Sequence, residues 1–490
     1  MTILAIDAGT TGVTCLLVDV HGKIIAKGYQ EFEQHFPNPG WVEHDPEQIW
    51  QAVLASAAQA LAGAPNISVS AIGITNQRET VALWNRTSLK SPRKAIVWQD
   101  RRTADLIIEL RDQGIEDLVR SKTGLGLDPY FSSSKLLWIS RNEPKIWADV
   151  RNQNTAIGTI DSYLVARLTG GASHITDASN ASRTQLMNID TADWDDELLS
   201  IFDIPREALP DIVPNFGPLA RTSAEHFLGI EAPITGMAGD QQAALFGQAG
   251  FEAGDNKCTY GTGAFILQNT GSKRVASSHG LLTTVAWQTP DGQLTYALEG
   301  SVFVAGSAVQ WLRDGLQIIS TAPDVNRLAD LVEDSGGVVF VPALTGLGAP
   351  QWDPEARGAI FGITRGTTKA HLARAALEAM AFQVRGVVDA IAKDAGQELK
   401  SLRVDGGAAA SNLLLQTQAD CLGIPVLRGK NLATTGMGAA MLAGLGVGLW
   451  KDFDEVRGVF TLDREFRPAE FDETRYVRFN KAIELTRLFK

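Results

Sequence analysis

The chain has 490 residues, of which 44% are hydrophobic and 20% charged, and its formal net charge is -12. This composition is typical of a globular protein, and the length exceeds what one hydrophobic core usually supports, so two or three domains are expected. The acidic balance argues against nucleic acid or an anionic membrane as the main partner, because both select basic patches.

No signal peptide, membrane span or zinc site is expected. The N-terminus, MTILAIDAGTTG, has no basic region and no long apolar region. No uninterrupted apolar run reaches the roughly 18 residues that a spanning helix needs. Cys15, Cys258 and Cys421 stand far apart in apolar contexts, which is typical of reduced cysteines in a cytoplasmic protein. The histidines are scattered without metal-ligand spacing.

The first half opens with short strands and tight turns. A buried strand is predicted at ILAID, a turn at AGTTG and a second strand at VTCLLVD, which together form a β-hairpin. The sheet continues at KIIAKGYQEF. A helix is predicted at HDPEQIWQAVLASAAQALAG, a strand at VSAIGIT and another helix at RTADLIIELRDQG. This alternation predicts an α/β domain on a mixed sheet.

The second half repeats the opening pattern. A glycine-rich stretch, GQAGFEAGDNK, predicts a boundary between domains 1–249 and 250–490. A strand, a Gly-Thr-Gly turn and a second strand follow at KCTYGTGAFILQNTG. A long helix is predicted at HLARAALEAMAFQVRGVVDAIAKDA, and a strand-to-helix junction at LRVDGGAAASNLLLQTQADCLG. The recurrence of a hairpin with a Gly/Thr turn indicates a weak internal duplication.

Three turns have the chemistry of a phosphate site. In DAGTTG, glycines let backbone N–H groups approach an anion, and Thr10 and Thr11 add hydroxyls. The turns in YGTGAF and VDGGAAASN resemble it in the second half. Each turn alone is more often structural, whereas the three around one cleft describe a clamp on a nucleoside triphosphate. The sequence contains no G-x-x-x-x-G-K-[ST] motif, which excludes the P-loop solution.

Two aspartates each have two interpretations. Asp7 is at the end of the first strand, where its carboxylate suits Mg²⁺ held jointly with phosphate oxygens, or simply a turn. Asp240, in GMAGDQQAALFGQ, precedes an alanine-rich helical segment. Its local pattern favours an N-cap, whose loss costs about 1 kcal/mol, over a contact with substrate.

Long motifs extend along the chain in the order GITNQRETVALWN, AIVWQDRRTA, GLDPYFSSSKLLWI, TDASNASRTQLMNI, AGDQQAALFGQ, YGTGAFILQNTG and LRVDGGAAASN. Together they resemble the FGGY carbohydrate kinases, most closely the members that phosphorylate glycerol. Tyr130 to Asn142 and Gly358 to Glu378 fit the family's two signature patterns. The resemblance covers essentially the whole chain. It implies an α/β, two-domain, actin-like and ribonuclease-H-like ATPase fold with a catalytic cleft between the domains.

The resemblance also implies roles for individual residues, matched motif by motif. It implies a polyol site at Arg78, Glu79, Trp98, Tyr130, Asp240, Gln241 and Phe265. It implies nucleotide contacts at Thr10, Thr11, Gly261, Thr262, Gly306, Gln310, Gly407 and Ser411. Asp7 matches the Mg²⁺ position. Asp240 is then expected both to cap its helix and to accept the proton of the attacking hydroxyl, as the γ-phosphate of ATP passes in line to glycerol and gives sn-glycerol 3-phosphate.

The first loop departs from the glycerol-phosphorylating pattern. Those members commonly have Asp-Gln-Gly-Thr-Thr-Ser, then Ser or Thr, then Arg, whereas this chain has Asp-Ala-Gly-Thr-Thr-Gly-Val-Thr. It therefore lacks the glutamine and the arginine and is closer to the pentulose-kinase version. A kinase of another polyol or ketose, such as erythritol or a pentulose, stays open. A non-catalytic actin-like protein that uses ATP only to change shape is the alternative from another class.

Regulation and assembly are expected only in outline. The segment HFLGIEAPIT lacks the Gly-Gly-Thr-Arg stretch through which some bacterial members bind fructose 1,6-bisphosphate, so no regulation by that sugar phosphate is expected. Glycerol and ATP are the expected partners. Because family members often form dimers or tetramers, a homo-oligomer is expected.

Overall fold

The computed structural model describes residues 1–489. The strands before residue 250 are β1 (Ile3–Ala8), β2 (Gly12–Val18), β3 (Ile24–Glu31), β4 (Gln34–His35), β5 (Glu43–His44), β6 (Ala71–Asn76), β7 (Ala82–Asn85), β8 (Ala95–Ile96), β9 (Thr155–Gly158), β10 (Ile175–Asp177), β11 (Met187–Asn188), β12 (Asp193–Trp194), β13 (Asp211–Val213), β14 (Phe216–Arg221) and β15 (Pro233–Gly239). The helices of this part are α1 (Pro46–Ala62), α2 (Ala104–Asp112), α3 (Glu116–Thr123), α4 (Ser132–Asn142), α5 (Pro144–Arg151), α6 (Ile160–Leu168), α7 (Ala178–Ala181), α8 (Asp196–Ile201) and α9 (Asp240–Gly247).

The later part of the chain continues the alternation of strands and helices. Its strands are β16 (Asn256–Tyr260), β17 (Ala264–Gly271), β18 (Leu282–Gln288), β19 (Leu294–Val302), β20 (Val339–Val341), β21 (Ala359–Phe361), β22 (Leu402–Asp405), β23 (Val426–Gly429) and β24 (Leu462–Phe466). Its helices are α10 (Gly306–Asp314), α11 (Asp324–Ala329), α12 (Lys369–Ala395), α13 (Asn412–Leu422), α14 (Thr434–Gly446), α15 (Phe453–Arg457) and α16 (Glu473–Leu488).

The described chain divides into two compact units. The first unit contains Met1–Ala249, Thr283–Tyr296 and Thr435–Phe460, and the second contains the rest. The sequence boundary at residues 249 and 250 coincides with one edge of the first unit, but the two later segments of that unit were expected in the second domain. The division into a polyol side and a nucleotide side stays a prediction.

A mixed sheet of six strands organises the first unit, in the order β14-β15-β6-β1-β2-β3. β1 pairs antiparallel with β2 and parallel with β6. Helix α1 packs on the strands of this hairpin, and the Asp45 side chain caps it by accepting the N–H of Glu47. Helix α14 approaches so closely that a Cβ at Gly73 would lie 2.2 Å from the carbonyl oxygen of Ala439. Only glycine fits there.

The second unit repeats the three-strand core of the first. β16 pairs antiparallel with β17 and parallel with β22, and β23 and β24 follow in the same sheet. The long helix α12 packs against α13 and α11. Each unit has its own hydrophobic core: the second encloses α12, and the first has two clusters of buried residues. The internal duplication predicted from the sequence therefore exists as a repeated hairpin with one parallel neighbour.

Within residues 1–489, none of the helices combines the length and the apolar character that crossing a lipid bilayer requires. The three cysteines are all buried and free.

Candidate active site

A buried arginine and a partly exposed aspartate form the centre of the candidate site in the first unit. Arg78 follows β6, and its Nε lies 3.1 Å from Oδ1 of Asp240. The side chain of Arg78 is 2% exposed and that of Asp240 is 27% exposed. Because burial fixes the guanidinium, this charge-assisted contact orients a carboxylate that solutes can still reach.

Asp240 is not the N-cap that the sequence predicts. The N-cap position of α9 is Gly239, where β15 ends, and Asp240 is the first helical residue. Its Oδ1 accepts the backbone N–H of Gln241 at 2.7 Å. The capping prediction is wrong by one position, because the strand continues through the glycine. The carboxylate nevertheless lies at the N-terminal end of α9, where the helix dipole is positive.

The other guanidinium nitrogens of Arg78 donate hydrogen bonds to two more side chains. Nη1 donates to Oε1 of Gln242 at 3.2 Å, and Nη2 donates to the phenol oxygen of Tyr130 at 3.4 Å. The Tyr130 ring packs edge-on against Trp98, with centroids 5.6 Å apart. The structure thus brings four predicted polyol-site residues, Arg78, Trp98, Tyr130 and Asp240, into one cluster.

Glu79 is held in this cluster by an arginine that sequence reasoning missed. The backbone of Glu79 has φ = +60°, a left-handed conformation that residues other than glycine adopt rarely. Nε of Arg183 donates to Oε1 of Glu79 at 2.7 Å, and its guanidinium lies 5.7 Å from the centre of the Tyr130 ring. Such backbone strain persists where surrounding contacts fix it, commonly at functional sites.

A buried lysine, also missed from the sequence, anchors the loop that carries Tyr130. Lys135 lies on α4, and its Nζ donates to the carbonyl oxygens of Pro129, Tyr130 and Phe131 at 2.7, 2.7 and 3.0 Å. Burial lowers the pKa of this amine to about 7. A signal was present in SSSKLLWI, where a lone lysine sits among residues that the helix buries.

The turn between β1 and β2 lies next to these residues. The N–H of Gly9 donates to the carbonyl of Gly12 at 3.0 Å and closes the turn. Nε1 of Trp98 donates to the hydroxyl of Thr10 at 3.0 Å, and Thr11 is exposed. A direct hydrogen bond therefore joins the first predicted phosphate loop to Trp98 of the predicted polyol site.

Asp7 is the penultimate residue of β1, just before this turn, and the charge of Asp240 acts on its carboxylate. Its pKa is raised from 3.8 to about 7, chiefly by burial and then by the charge of Asp240, while Lys27 opposes the rise. Residues 1–489 contain no group of three or more His, Cys, Asp or Glu side chains able to hold a metal. Mg²⁺ needs no such group when phosphate oxygens and water complete its shell. Two mutually repelling carboxylates thus fit a cation, and the Mg²⁺ role of Asp7 stays a prediction.

In the second unit, the turn after β16 meets the start of α10. The N–H of Gly306 donates to the carbonyl of Gly261 at 3.0 Å, and the N–H of Ala305 donates to the carbonyl of Thr262 at 2.9 Å. A Cβ at Gly306 would lie 2.5 Å from the oxygen of Gly261. This close approach requires glycine and places a helix N-terminus beside the second Gly/Thr turn.

The third predicted loop lies against the same turn. Gly406 has φ = +86°, and a Cβ there would lie 2.5 Å from the carbonyl oxygen of Tyr260. Gly407 begins the 3₁₀ turn Gly407–Ala410. The structure therefore brings Gly261, Thr262, Gly306 and Gly407 together.

The remaining predicted residues of the second unit are placed as follows. The Ser411 hydroxyl caps α13 by accepting the N–H of Leu414 and also contacts Oδ1 of Asn326. Gln310 is exposed on α10, and Phe265 is half-buried on β17. Their ligand contacts stay predictions, as does the expected cleft between domains.

Comparison with known proteins identifies the family. The model for the N-terminal domain of the FGGY family of carbohydrate kinases matches residues 2–247, and the model for its C-terminal domain matches residues 256–447. The chain belongs to the FGGY family of carbohydrate kinases. The family predicted from the motifs and its two-domain α/β kinase fold are confirmed.

Two curated relatives that match the chain over nearly its whole length share one name. The chain is 51% identical to a protein named glycerol kinase from Oceanobacillus iheyensis, over 100% of this chain and 98% of that protein. It is 53% identical to the glycerol kinase of Dechloromonas aromatica, over 98% and 97%. The crystal structure of Plasmodium falciparum glycerol kinase with ADP is 37% identical, with a TM-score of 0.91 and coverage of 99% and 98%. A xylulose kinase from Lactobacillus acidophilus, 23% identical with a TM-score of 0.85, shares the fold.

The raised pKa of Asp7 predicts pH-dependent stability. Because the folded pKa lies above the ordinary 3.8, the carboxylate destabilises the fold increasingly as pH rises from about 4 to 7, and fully above 7. Without nucleotide and with chelator present, we expect Asp7→Asn to raise Tm by about 2 °C or more at pH 8, with a smaller gain at pH 5. Calorimetry measures both. The exposed Asp112, changed to Asn, is the matched control. Equal gains at the two pH values would contradict the prediction.

The Lys135 anchor predicts a substrate-binding defect. Lys135→Met keeps the apolar stem but removes one donor from three buried carbonyls, and each carbonyl left without any partner costs about 1–3 kcal/mol. We expect a lower Tm and a KM for the phosphoryl acceptor raised about tenfold, because Tyr130 loses its position. Steady-state kinetics provide the test.

Lys122→Met is the control for this variant, since Lys122 pairs with Asp195 and Glu197 outside the cluster. A Lys135→Met enzyme with lowered Tm but an unchanged KM would show that the anchor serves stability alone.

Proposed function

We propose that the chain is an ATP-dependent kinase that phosphorylates a terminal hydroxyl of glycerol and gives sn-glycerol 3-phosphate. The position of Asp240 carries this proposal, because buried Arg78 holds its carboxylate at 3.1 Å while the carboxylate stays accessible. The glycerol kinases that match this chain over nearly its whole length support the choice of acceptor.

The cluster suits a small polyol. Glycerol has three hydroxyls and a small CH face, so selective binding needs several fixed polar partners and an aromatic wall. Arg78 and Glu79 offer a charged donor and a charged acceptor, Tyr130 offers a hydroxyl, and Trp98 offers the wall. A site built to hydrogen-bond a hydroxyl strongly rejects analogues that lack that hydroxyl. We assign Gln241 to the polar set and Phe265 to the second aromatic face.

Asp240 is the proposed base. The oxygen of the terminal hydroxyl attacks the γ-phosphorus of ATP, its proton passes to the Asp240 carboxylate, and the bond from that phosphorus to the β,γ-bridging oxygen breaks to release ADP. The transition state of such a transfer is loose, so positioning and charge neutralisation dominate. Arg78 fixes the carboxylate, which lies at the N-terminus of α9.

The Gly/Thr turns are the proposed phosphate grip. We assign Thr10 and Thr11 of the first unit to the phosphates, and in the second unit Gly261, Thr262, Gly306, Gln310, Gly407 and Ser411. Mg²⁺ held through Asp7 would neutralise phosphate charge. The repulsion between Asp7 and Asp240 supports this assignment, because a bound cation relieves it.

The setting of the enzyme is also proposed. Three buried, free cysteines support a reducing compartment, and we place the protein in the cytoplasm. We propose a homo-oligomer, a dimer or a tetramer, on the basis of the family resemblance.

An acceptor panel tests the substrate. ADP release is measured with glycerol, dihydroxyacetone, erythritol, xylulose and ribulose, and we expect glycerol to have the highest kcat/KM. The altered first loop favours the competing prediction of a longer polyol or a pentulose. A higher kcat/KM for any of these would replace glycerol as the acceptor and keep the kinase chemistry.

Asp240→Asn tests the base. The variant keeps the shape of the side chain but removes the proton acceptor, so we expect kcat to fall about 10²–10⁴-fold while glycerol binding persists. Asp195→Asn is the control, because Asp195 caps α8 away from the cluster and Asn caps helices equally well. Unchanged turnover in Asp240→Asn would remove Asp240 as the base. An absence of acceptor-dependent turnover in the unaltered chain would favour the non-catalytic actin-like alternative.

A further inference from the structure

A buried histidine links two glutamines behind the first Gly/Thr turn. His44, on β5, is fully buried. Its Nε2 lies 2.9 Å from Oε1 of Gln34, and its Nδ1 lies 3.2 Å from Nε2 of Gln77. An amide oxygen can only accept and an amide nitrogen can only donate. His44 is therefore neutral, with its proton on Nε2.

Each glutamine also donates a hydrogen bond to a carbonyl of the turn. Nε2 of Gln34 donates to the carbonyl of Thr10 at 2.7 Å, and Nε2 of Gln77 donates to the carbonyl of Gly9 at 3.1 Å. The backbone N–H of Phe32 donates to the carbonyl of Thr11 at 3.4 Å. The three consecutive carbonyls of Gly9, Thr10 and Thr11 therefore each accept a hydrogen bond from outside the turn.

This arrangement fixes the direction of the opposite peptide edge. In a trans peptide unit, the N–H points away from the C=O of the preceding residue. When the carbonyls of Gly9 and Thr10 are drawn toward the glutamines, the N–H groups of Thr10 and Thr11 turn away from them. Successive N–H groups presented on one side form a concavity that binds anions.

We propose that His44 is a positioning residue for nucleotide binding, which holds Gln34 and Gln77 so that the turn from Gly9 to Thr11 presents its N–H groups to the phosphates of MgATP. This inference rests on the proposed function and deepens it. It identifies the residues that order the first Gly/Thr turn. This chain lacks the glutamine and the arginine that are common in that loop among glycerol-phosphorylating members.

The surroundings of His44 keep the hydrogen-bonded chain Gln34–His44–Gln77 in one protonation state. Burial and the neighbouring His35 lower the pKa of His44 to about 3, and the ring of Phe32 packs edge-on at 5.0 Å. The acceptor on Nδ1 and the donor on Nε2 therefore persist at neutral pH, so the glutamines are not released by ordinary pH changes.

Hydrogen bonds from Gln77 also extend to Trp98, the proposed aromatic wall of the polyol site. Oε1 of Gln77 accepts the hydroxyl of Thr80 at 2.9 Å, and Oγ1 of Thr80 accepts the backbone N–H of Trp98 at 3.2 Å. Trp98 in turn donates to Thr10. Loosening His44 therefore affects the phosphate loop first and the aromatic wall through Gln77.

The test compares two substitutions in the full-length chain. His44→Leu removes both hydrogen-bonding atoms, and His44→Gln retains one donor and one acceptor. The Kd for MgATP is measured by titration calorimetry without acceptor, and kcat/KM for MgATP with the best acceptor of the panel. We expect His44→Leu to weaken MgATP about tenfold, the scale of one lost hydrogen bond, and His44→Gln to stay within about threefold of the unaltered chain.

His174→Leu is the matched control. His174 is a half-buried histidine of the same unit, bonded to the carbonyl of Ile157 and packed on Trp84. We expect it to lower Tm without changing the Kd for MgATP. Should His44→Leu fail to fold, Gln34→Met removes the single donor to Thr10 from a partly exposed strand and is expected to weaken MgATP about threefold to tenfold.

The outcomes separate this inference from the proposed function. If the unaltered chain binds no MgATP, the kinase proposal itself fails. If it binds MgATP and His44→Leu binds equally well, or if His44→Gln is as impaired as His44→Leu, the positioning role of His44 is overturned while the kinase proposal stands.

Discussion

The candidate site depends on the parallel pairing of β1 with β6. Parallel strands end at the same edge of a sheet, so the residues after Ala8 and those after Asn76 must lie side by side. That single constraint places the Gly/Thr turn beside the segment that carries Gln77, Arg78 and Glu79. The N–H of Gln77 donates to the carbonyl of Ala8 and continues the ladder by one step. The first Gly/Thr turn and the Arg78 cluster are adjacent because of strand order.

The cluster around Arg78 is built from buried charge, which folding tolerates only when each charge is paired. Glu79 lies between Arg78 and Arg183, and Lys135 is surrounded by three carbonyls. Desolvating such groups costs several kcal/mol for each ion, so the pairing compensates for burial and does not create a large net stabilisation. What the arrangement supplies is stiffness. A small, neutral, flexible polyol needs fixed partners, since every freedom left in the site weakens its discrimination.

Local structure was predictable from the sequence, and long-range structure was not. The opening hairpin, α1, β6, α12 and the junction at β22 follow from hydrophobic period and turn residues, and the motifs pointed to Arg78, Trp98, Tyr130 and Asp240. The roles of Arg183 and His44 could not be read from the sequence, because their partners are set by tertiary contacts. Lys135 donates to carbonyls only four to six residues earlier, so its local signal was present but was not recognised. Segments 283–296 and 435–460 join the first unit for the same reason. The hydroxyl of Thr235, for example, donates to the carbonyl of Ala443, 208 residues further along the chain.

The two units repeat one strand arrangement, but an aspartate and a threonine that face each other occupy opposite strands in the two units. In the first unit, Asp7 on the hairpin strand β1 faces Thr75 on its parallel neighbour. In the second unit, Thr259 on the hairpin strand β16 faces Asp405 on its parallel neighbour. The same aspartate–threonine pair is present with its members reversed. In the first unit the carboxylate therefore lies on the hairpin strand, within the field of Asp240, where the mutual repulsion of two carboxylates favours a cation. In the second unit it lies on the parallel neighbour β22, directly before Gly406, and the hairpin strand carries the threonine instead. A duplicated fold can thus specialise by exchanging the strand that carries one side chain, without any change in strand order.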